Sequence, residues 1–286
     1  MNFNNFLLKK LLLIFLFGFS YPLSLSSNEN FNTKNKYKII ALTSLSADLV
    51  NSIDSKSLVG IPGSSLLKSN PSYKDIEIIS SGRMPPNLEK IISLKPDLVI
   101  GANGFHDKPL SKLNELGVKT LSTKIKNLKD LENLNKEINL FLSKKNIEPL
   151  SNKISNCYSS SSKISKDKNV IALVSTKPIL SPNSQSWSGN LIKRFGLKNL
   201  TSELQSKSEF RGYVNLSQEW LLKAKPNNLI VVKTPGSDIS QYESLAIWNK
   251  IPAVKKKNIF SFDYYGLINP GSLDSINKAC KKLSSI

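Results

Sequence analysis

The chain has 286 residues, 40% of them hydrophobic, and carries 40 Lys and Arg against 21 Asp and Glu, a formal charge of +19 with a single histidine. That length suits one large domain or two lobes, each with a proper core. A strong positive charge can mark an acidic partner, but here the lysines are scattered among Asn, Ile and Ser, with no basic helix interleaved with aromatics and no nucleic-acid motif; this points to a compositional bias and away from nucleic acid.

At the N-terminus Lys9 and Lys10 precede an apolar run from Leu11 to Phe19, with small residues at Ser24 and Ser26, the layout of a secretory signal peptide over residues 1–26. The run falls short of the roughly 18 apolar residues a spanning helix requires, as does every later segment. An exported, periplasmic protein, soluble after cleavage, is therefore expected. The first cysteine, Cys157, lies too far along to carry a lipid anchor. Cys157 and Cys280 are the only cysteines; export allows them to pair, but spacing does not decide it, and two separate buried thiols are the alternative.

Residues 27–36 read as a flexible, polar mature N-terminus. Short apolar runs at 38–42, 58–61, 77–79, 98–101 and 119–121 then alternate with amphipathic helices at 46–53, 87–94 and 108–116, an α/β pattern that gives a mainly parallel sheet. From Leu128 to about Lys168 no strand signal occurs and Leu128, Leu131, Leu134, Ile138 and Leu142 recur at helical spacing, so long helices are expected. Alternation resumes with strands at 170–174, 229–232 and 259–262 and helices at 188–195, 217–223 and 272–283. The expected organisation is two α/β lobes, 37–145 and 169–286, joined by a long bridging helix over 146–168.

The two halves echo each other. Asn87-Leu-Glu-Lys-Ile-Ile-Ser-Leu-Lys-Pro96 and Ser217-Gln-Glu-Trp-Leu-Leu-Lys-Ala-Lys-Pro226 share a polar first residue, a glutamate in the first turn, paired aliphatics and a closing Lys-Pro. Each reads as a helix stopped by proline and feeding a strand. A glutamate so placed complements the helix dipole by about 0.3–1 kcal/mol.

Catalytic chemistry is scarcely represented. A Ser-His-Asp arrangement would depend on His106, yet no G-x-S-x-G elbow exists, nor H-E-x-x-H, nor a phosphate-binding G-x-x-x-x-G-K-[ST] loop. One histidine also cannot supply the several imidazoles that a bare zinc or manganese site generally needs. A non-enzymatic protein without cofactor or directly bound metal is expected; an exported enzyme or a structural surface protein on the same scaffold is the rival class.

The segment Ser80-Ser-Gly-Arg-Met-Pro-Pro-Asn-Leu-Glu-Lys-Ile-Ile-Ser-Leu-Lys-Pro-Asp-Leu-Val-Ile100 resembles the signature of substrate-binding proteins of ABC importers for ferric siderophores, haem and cobalamin. The blocks 38–44, 58–61, 186–192, 212–222 and 248–254 resemble further parts of that family. The resemblance implies rigid lobes bridged by a long helix, a ligand in the cleft between them, and a membrane permease as partner to what is expected to be a monomer. It implies that Glu89 and Glu219 dock onto the permease, and that Arg83 contacts anionic oxygens around iron(III), where a guanidinium offers paired hydrogen bonds. Arg211 stands where hydroxamate-siderophore binders commonly carry an aromatic, which favours a more anionic ligand. Trp187, Tyr264, Tyr265, Phe105 and His106 fall in loops that face the cleft in the family. An iron(III) chelate is the expected ligand, with cobalamin or haem as the alternative; haem would need an axial ligand such as His106 or a tyrosine.

Overall fold

Strand β1 (Ile39–Ala41) is buried throughout, as apolar runs in parallel sheets are, because both faces of such a sheet are covered. The computed structural model describes residues 37–81, 84–159, 165–205, 211–234 and 238–286, with only the backbone described at 165–167. After β1 come α1 (Ser44–Asp54), β2 (Leu58–Gly63), α2 (Ser65–Lys68), β3 (Glu77–Ser81), α3 (Leu88–Ser93), β4 (Leu98–Ala102), α4 (Asp107–Glu115), β5 (Thr120–Thr123), α5 (Leu128–Phe141) and α6 (Leu150–Lys153). The first sheet has the order β3-β2-β1-β4-β5 and every pairing in it is parallel.

The second half contains β6 (Ser165–Leu173), β7 (Ser175–Thr176), β8 (Ile179–Pro182), α7 (Trp187–Arg194), β9 (Leu197–Asn199), β10 (Tyr213–Leu216), α8 (Gln218–Ala224), β11 (Asn228–Lys233), α9 (Ser240–Glu243), α10 (Pro252–Lys255), β12 (Ile259–Asp263), the kinked α11 (Tyr264–Leu267) and α12 (Leu273–Leu283). A parallel sheet runs β12-β11-β6-β9, and a small antiparallel one runs β10-β8-β7. The two larger sheets make the architecture mainly parallel, as expected, and the small antiparallel sheet is an addition that the sequence did not indicate. Its strands are too short to show a periodicity, and the cis Lys177–Pro178 peptide lies between β7 and β8.

The echo between the halves is reproduced in detail. Asn87 Oδ1 accepts from the Lys90 N–H at 3.0 Å and Ser217 Oγ from the Trp220 N–H at 3.1 Å, each a side-chain cap at the start of its helix. Both helices finish at a left-handed lysine, Lys95 at φ 51° and Lys225 at φ 46°, before the proline that leads into β4 or β11.

Alternation along the central strands sorts their side chains into layers. Ile39 and Ala41, Val170 and Ala172, and Ile230 and Val232 all enter one shared core. Their alternate neighbours face outward: Ile40 and Leu42 pack beneath α3 and α4, while Ile171, Leu173, Leu229 and Val231 form a separate cluster with Tyr242 and Trp248. Because the shared core is continuous from the first sheet to the second, the described residues belong to one compact unit.

The crossover between the sheets differs from the long helix expected over 146–168. Helix α6 has only four residues, a 3-10 turn follows at Ser155–Cys157, and β6 begins at Ser165, residues 160–164 lying outside those described. Serine and asparagine crowd this stretch, and their side chains offer the backbone competing hydrogen bonds; Ser159 Oγ donates to Ser155 O at 3.0 Å. The bracing role falls to α12, whose stripe Leu273, Ile276, Ala279, Cys280 and Leu283 enters the shared core. Asp48 on α1 accepts from the Leu273 N–H at 2.7 Å and from the Tyr73 hydroxyl at 2.8 Å. Asn277 Oδ1 accepts from the Asn156 N–H at 3.0 Å, and Cys157 and Cys280 form a disulfide with Cα atoms 5.0 Å apart. The cysteines, left open by the sequence, are therefore paired.

Candidate functional site

In open α/β sheets the loops at the carboxyl ends of the strands present residues to ligands. Of the expected site residues, Phe105 and His106 follow β4 and Tyr264 and Tyr265 follow β12, whereas Trp187 opens α7 and Arg211 precedes β10. Arg83, with Gly82, lies outside the described residues. At the end of β4, Gly101 admits a close approach: a Cβ there would sit 2.9 Å from His106 Cβ and 3.0 Å from a Leu110 methyl. Gly104, at φ 82°, turns the loop, and its N–H donates to Asp107 Oδ1 at 2.9 Å. That tight turn leaves Phe105 70% exposed and His106 only 7% exposed, their rings edge to face at 4.8 Å. Met84, after β3, is a second large apolar side chain exposed at the same end of the sheet.

The neutral His106 ring is held in one tautomer. Its Nδ1 accepts from the Ala102 N–H at 3.0 Å, so a neutral ring carries its proton on Nε2. Burial pushes its pKa below the usual histidine value, with Asp107 opposing less strongly. A protonated Nε2 has no lone pair for a metal, so this geometry disfavours His106 as an axial ligand and casts it as a polar brace for the loop carrying Phe105.

The second half gathers its candidates more closely. Ser186 caps α7 and accepts from the Gly189 N–H at 2.9 Å. Gly212, at φ 87°, packs so tightly that a Cβ would lie 3.1 Å from the Ser186 backbone, which fixes Arg211 and Tyr213 beside the start of α7. Arg211 is exposed. Tyr213 shares a long hydroxyl contact of 3.4 Å with Ser188, and burial, reinforced by Tyr264 nearby, pushes its pKa up to about 12. Tyr264 and Tyr265 meet edge to face at 5.4 Å, and Gly271 packs against both Tyr265 and Leu66, which follows β2: a Cβ there would lie 2.8 Å from the Tyr265 ring and 2.9 Å from a Leu66 methyl. Tyr213 was not foreseen, since no element is expected over 213–216 and nothing in Tyr213-Val-Asn-Leu216 marks it as a site residue.

Trp187 departs from the expectation of an open aromatic wall. It is 4% exposed and its Nε1–H donates to Gly266 O at 2.8 Å, as a buried indole requires a partner. It buttresses the turn that presents Tyr264 and Tyr265. Glu89 and Glu219 are both exposed in the first turns of α3 and α8. The Glu219 carboxyl is held below its usual value by hydrogen bonds from its own backbone N–H and from Ser217. Among the described residues no three His, Cys, Asp or Glu side chains converge as a metal site would require. A groove of about 250 Å³ between α5 and the crossover, lined by residues that include Glu132, Asn135 and Tyr158, contains none of the candidate residues.

The family model described as "Periplasmic binding protein" matches residues 39–265. Comparison with curated proteins returns no match. Among solved structures the chain is similar to a possible iron-binding periplasmic solute-binding protein of Staphylococcus epidermidis, at TM-score 0.70 and 22% identity over 87% of this chain and 97% of that one. It is similar to the periplasmic haem-binding protein HutB of Vibrio cholerae, at TM-score 0.65 and 18% identity over 87% and 98% of the two chains. The periplasmic vitamin B12-binding protein BtuF of Vibrio cholerae matches at TM-score 0.60 and 20% identity over 87% and 97%. At these identities the structural likeness speaks for the fold.

Proposed function

Because this chain belongs to the periplasmic binding protein family, we propose that it is the substrate-binding component of an ABC import system, capturing an iron(III) chelate between its two halves and presenting it to a membrane permease. The observation that carries the reading is the matched pair of docking helices, α3 and α8. Each has a side-chain cap, an exposed first-turn glutamate, Glu89 or Glu219, and a left-handed lysine before proline. Helix capping alone accounts for one glutamate; the same exposed placement on both halves suits a partner with two basic patches.

For the ligand, exposed Arg211 supports an anionic chelate, with Arg83 as its counterpart from the other half. The net charge of +19 would steer such an anion toward the protein. Tyr213, Tyr264 and Tyr265 supply flat, partly buried faces. Exposed Phe105 and Met84 favour a second reading, in which an apolar macrocycle such as a corrinoid or haem lies against the first half. With His106 protonated on Nε2, a tyrosine would have to serve any haem iron.

Thermal unfolding against ferric siderophores, haem and cobalamin tests this, since ligand at about 100 times its dissociation constant adds roughly 2.7 kcal/mol. Stabilisation by a ferric chelate supports the first reading. Stabilisation by cobalamin or haem alone replaces it with the second, and turnover of any of them during incubation overturns the non-enzymatic assignment.

A further inference from the structure

Strands β6, β11 and β12 lie side by side and parallel, so their amino-terminal ends share one edge of the sheet, opposite the loops of the candidate site. The first residues of β6 are Ser165-Lys-Asp-Lys-Asn169 and the segments leading into β11 and β12 are Lys223-Ala-Lys-Pro-Asn-Asn228 and Lys255-Lys-Lys-Asn258, with Asp167 the one acidic residue. Lys168, Lys223, Lys225, Lys255, Lys256 and Lys257 are all exposed, and among the described residues none of them enters an ion pair.

Asparagines lace the three segments together. Asn169 Oδ1 accepts from the Asn227 N–H, Asn228 Nδ2 donates to Asn169 O at 3.0 Å, and Asn258 Nδ2 donates to Asn227 O at 3.1 Å. Lys225 and Lys257 occupy left-handed turns at φ 46° and 57°, a conformation crowded for any side chain with a Cβ. The lysines are therefore mounted on a fixed frame. In the first sheet, by contrast, Asp75 follows Lys74 ahead of β3 and Asp97 follows Lys95 ahead of β4, and Asp97 Oδ2 accepts from the Lys38 N–H at 2.7 Å. A uniform excess of lysine does not explain why relief by carboxylates is so sparse at the second edge.

We propose that this edge is an electrostatic docking surface for anionic phospholipid headgroups. Clusters of about 4–8 Lys or Arg bind anionic bilayers at about 1 kcal/mol, or fivefold, per residue near the surface, and neighbouring strands spaced about 4.8 Å apart set the lysines in a shallow array. The segments hold no aromatic side chain on which a base could stack, which disfavours a single-stranded nucleic acid. They also lack a large apolar side chain to insert, so the contact is superficial and weakened by salt. Docking here leaves the candidate ligand loops at the opposite edge open, and the inference does not depend on which ligand they take.

The test is co-sedimentation of the chain lacking residues 1–26 with vesicles of phosphatidylcholine alone or with about one third phosphatidylglycerol at low salt. Lys→Gln replacement of the six edge lysines is compared with Lys→Gln at Lys74, Lys108, Lys112, Lys129, Lys136 and Lys145, an equal loss of net charge elsewhere. Binding to the anionic vesicles alone, lost at least a hundredfold in the edge variant, within tenfold of wild type in the control, and retained when the edge lysines become arginine, supports the proposal. Equal losses in both lysine-to-glutamine variants, equal binding to neutral vesicles, tighter binding to a single-stranded oligonucleotide at the same salt, or no binding at all overturns it.

Discussion

Removing the Cys157–Cys280 disulfide by replacing both cysteines with alanine probes the brace between the halves. The bridge spans 123 residues, and the chain-entropy relation for a loop of that size gives about 4.9 kcal/mol at 25 °C, against a usual range of about 0–5 kcal/mol. Both cysteines are fully buried in the shared core, so alanine also forfeits packing there. The noncovalent ties at Asp48–Leu273 and Asn156–Asn277 remain in the variant, which keeps α12 in place while the protein is folded. For a chain of this size the loss corresponds to a melting temperature lower by about 10–20 °C. Urea unfolding of wild type, of wild type in reductant and of the variant measures it, the reduced wild type giving the loss from the cross-link and the variant falling below it by the packing of the two removed sulfurs. A loss below about 1 kcal/mol would refute the reasoning, because the crossover would then already be restrained in the unfolded chain or irrelevant to stability.

Other substitutions separate structural from ligand roles. Trp187→Phe leaves Gly266 O without its donor and should cost about 1–3 kcal/mol, measured by urea unfolding, with ligand affinity changed less than threefold; a tenfold loss of affinity at unchanged stability would make the ring a direct contact. Asp48→Ala removes the acceptor of the buried Tyr73 hydroxyl and frees the first N–H of α12, for about 2–3 kcal/mol by the same assay. Gly266→Ala places a Cβ against Ser275 O at φ 96° and should cost about 3 kcal/mol or more. Since burial depresses the His106 pKa, the unfolded chain binds the proton first as pH falls below about 6.5. The stability contributed by neutral His106 is thus full above that pH and is lost as pH falls toward the folded pKa. His106→Gln should flatten this slope between pH 7 and 5.5, and an unchanged slope would show that the ring is not held neutral.

Most of the parallel strands were legible because they are short apolar runs between turn signals, β9 with its Leu197-Lys-Asn199 being the exception that was missed, and the caps at Asn87 and Ser217 announce themselves by residue type. The β7-β8-β10 sheet was not: strands of two to four residues carry no measurable alternation. The crossover misled because residues 128–142 are truly helical, and that periodicity was extended into a serine-rich stretch whose short turns are fixed by α12 and the disulfide. Pairing of cysteines 123 residues apart depends on tertiary placement. In the site, the places of Phe105, His106, Tyr264 and Tyr265 after β4 and β12 were predictable from the ends of those strands, whereas orientation was not. Nothing local distinguishes Trp187, buried and turned to Gly266 O, from Tyr265, which stays half-exposed beside Gly271.

Equilibrium titration of the chain, lacking residues 1–26, with a ferric siderophore panel, followed by intrinsic fluorescence and repeated on Arg211→Ala, tests the central claim most directly. Saturation by a ferric chelate at one per chain, weakened about tenfold or more by the substitution as expected for a lost charge-assisted hydrogen bond, is the predicted result. Equal affinity in wild type and variant, or no saturable binding by any ferric chelate, would contradict it.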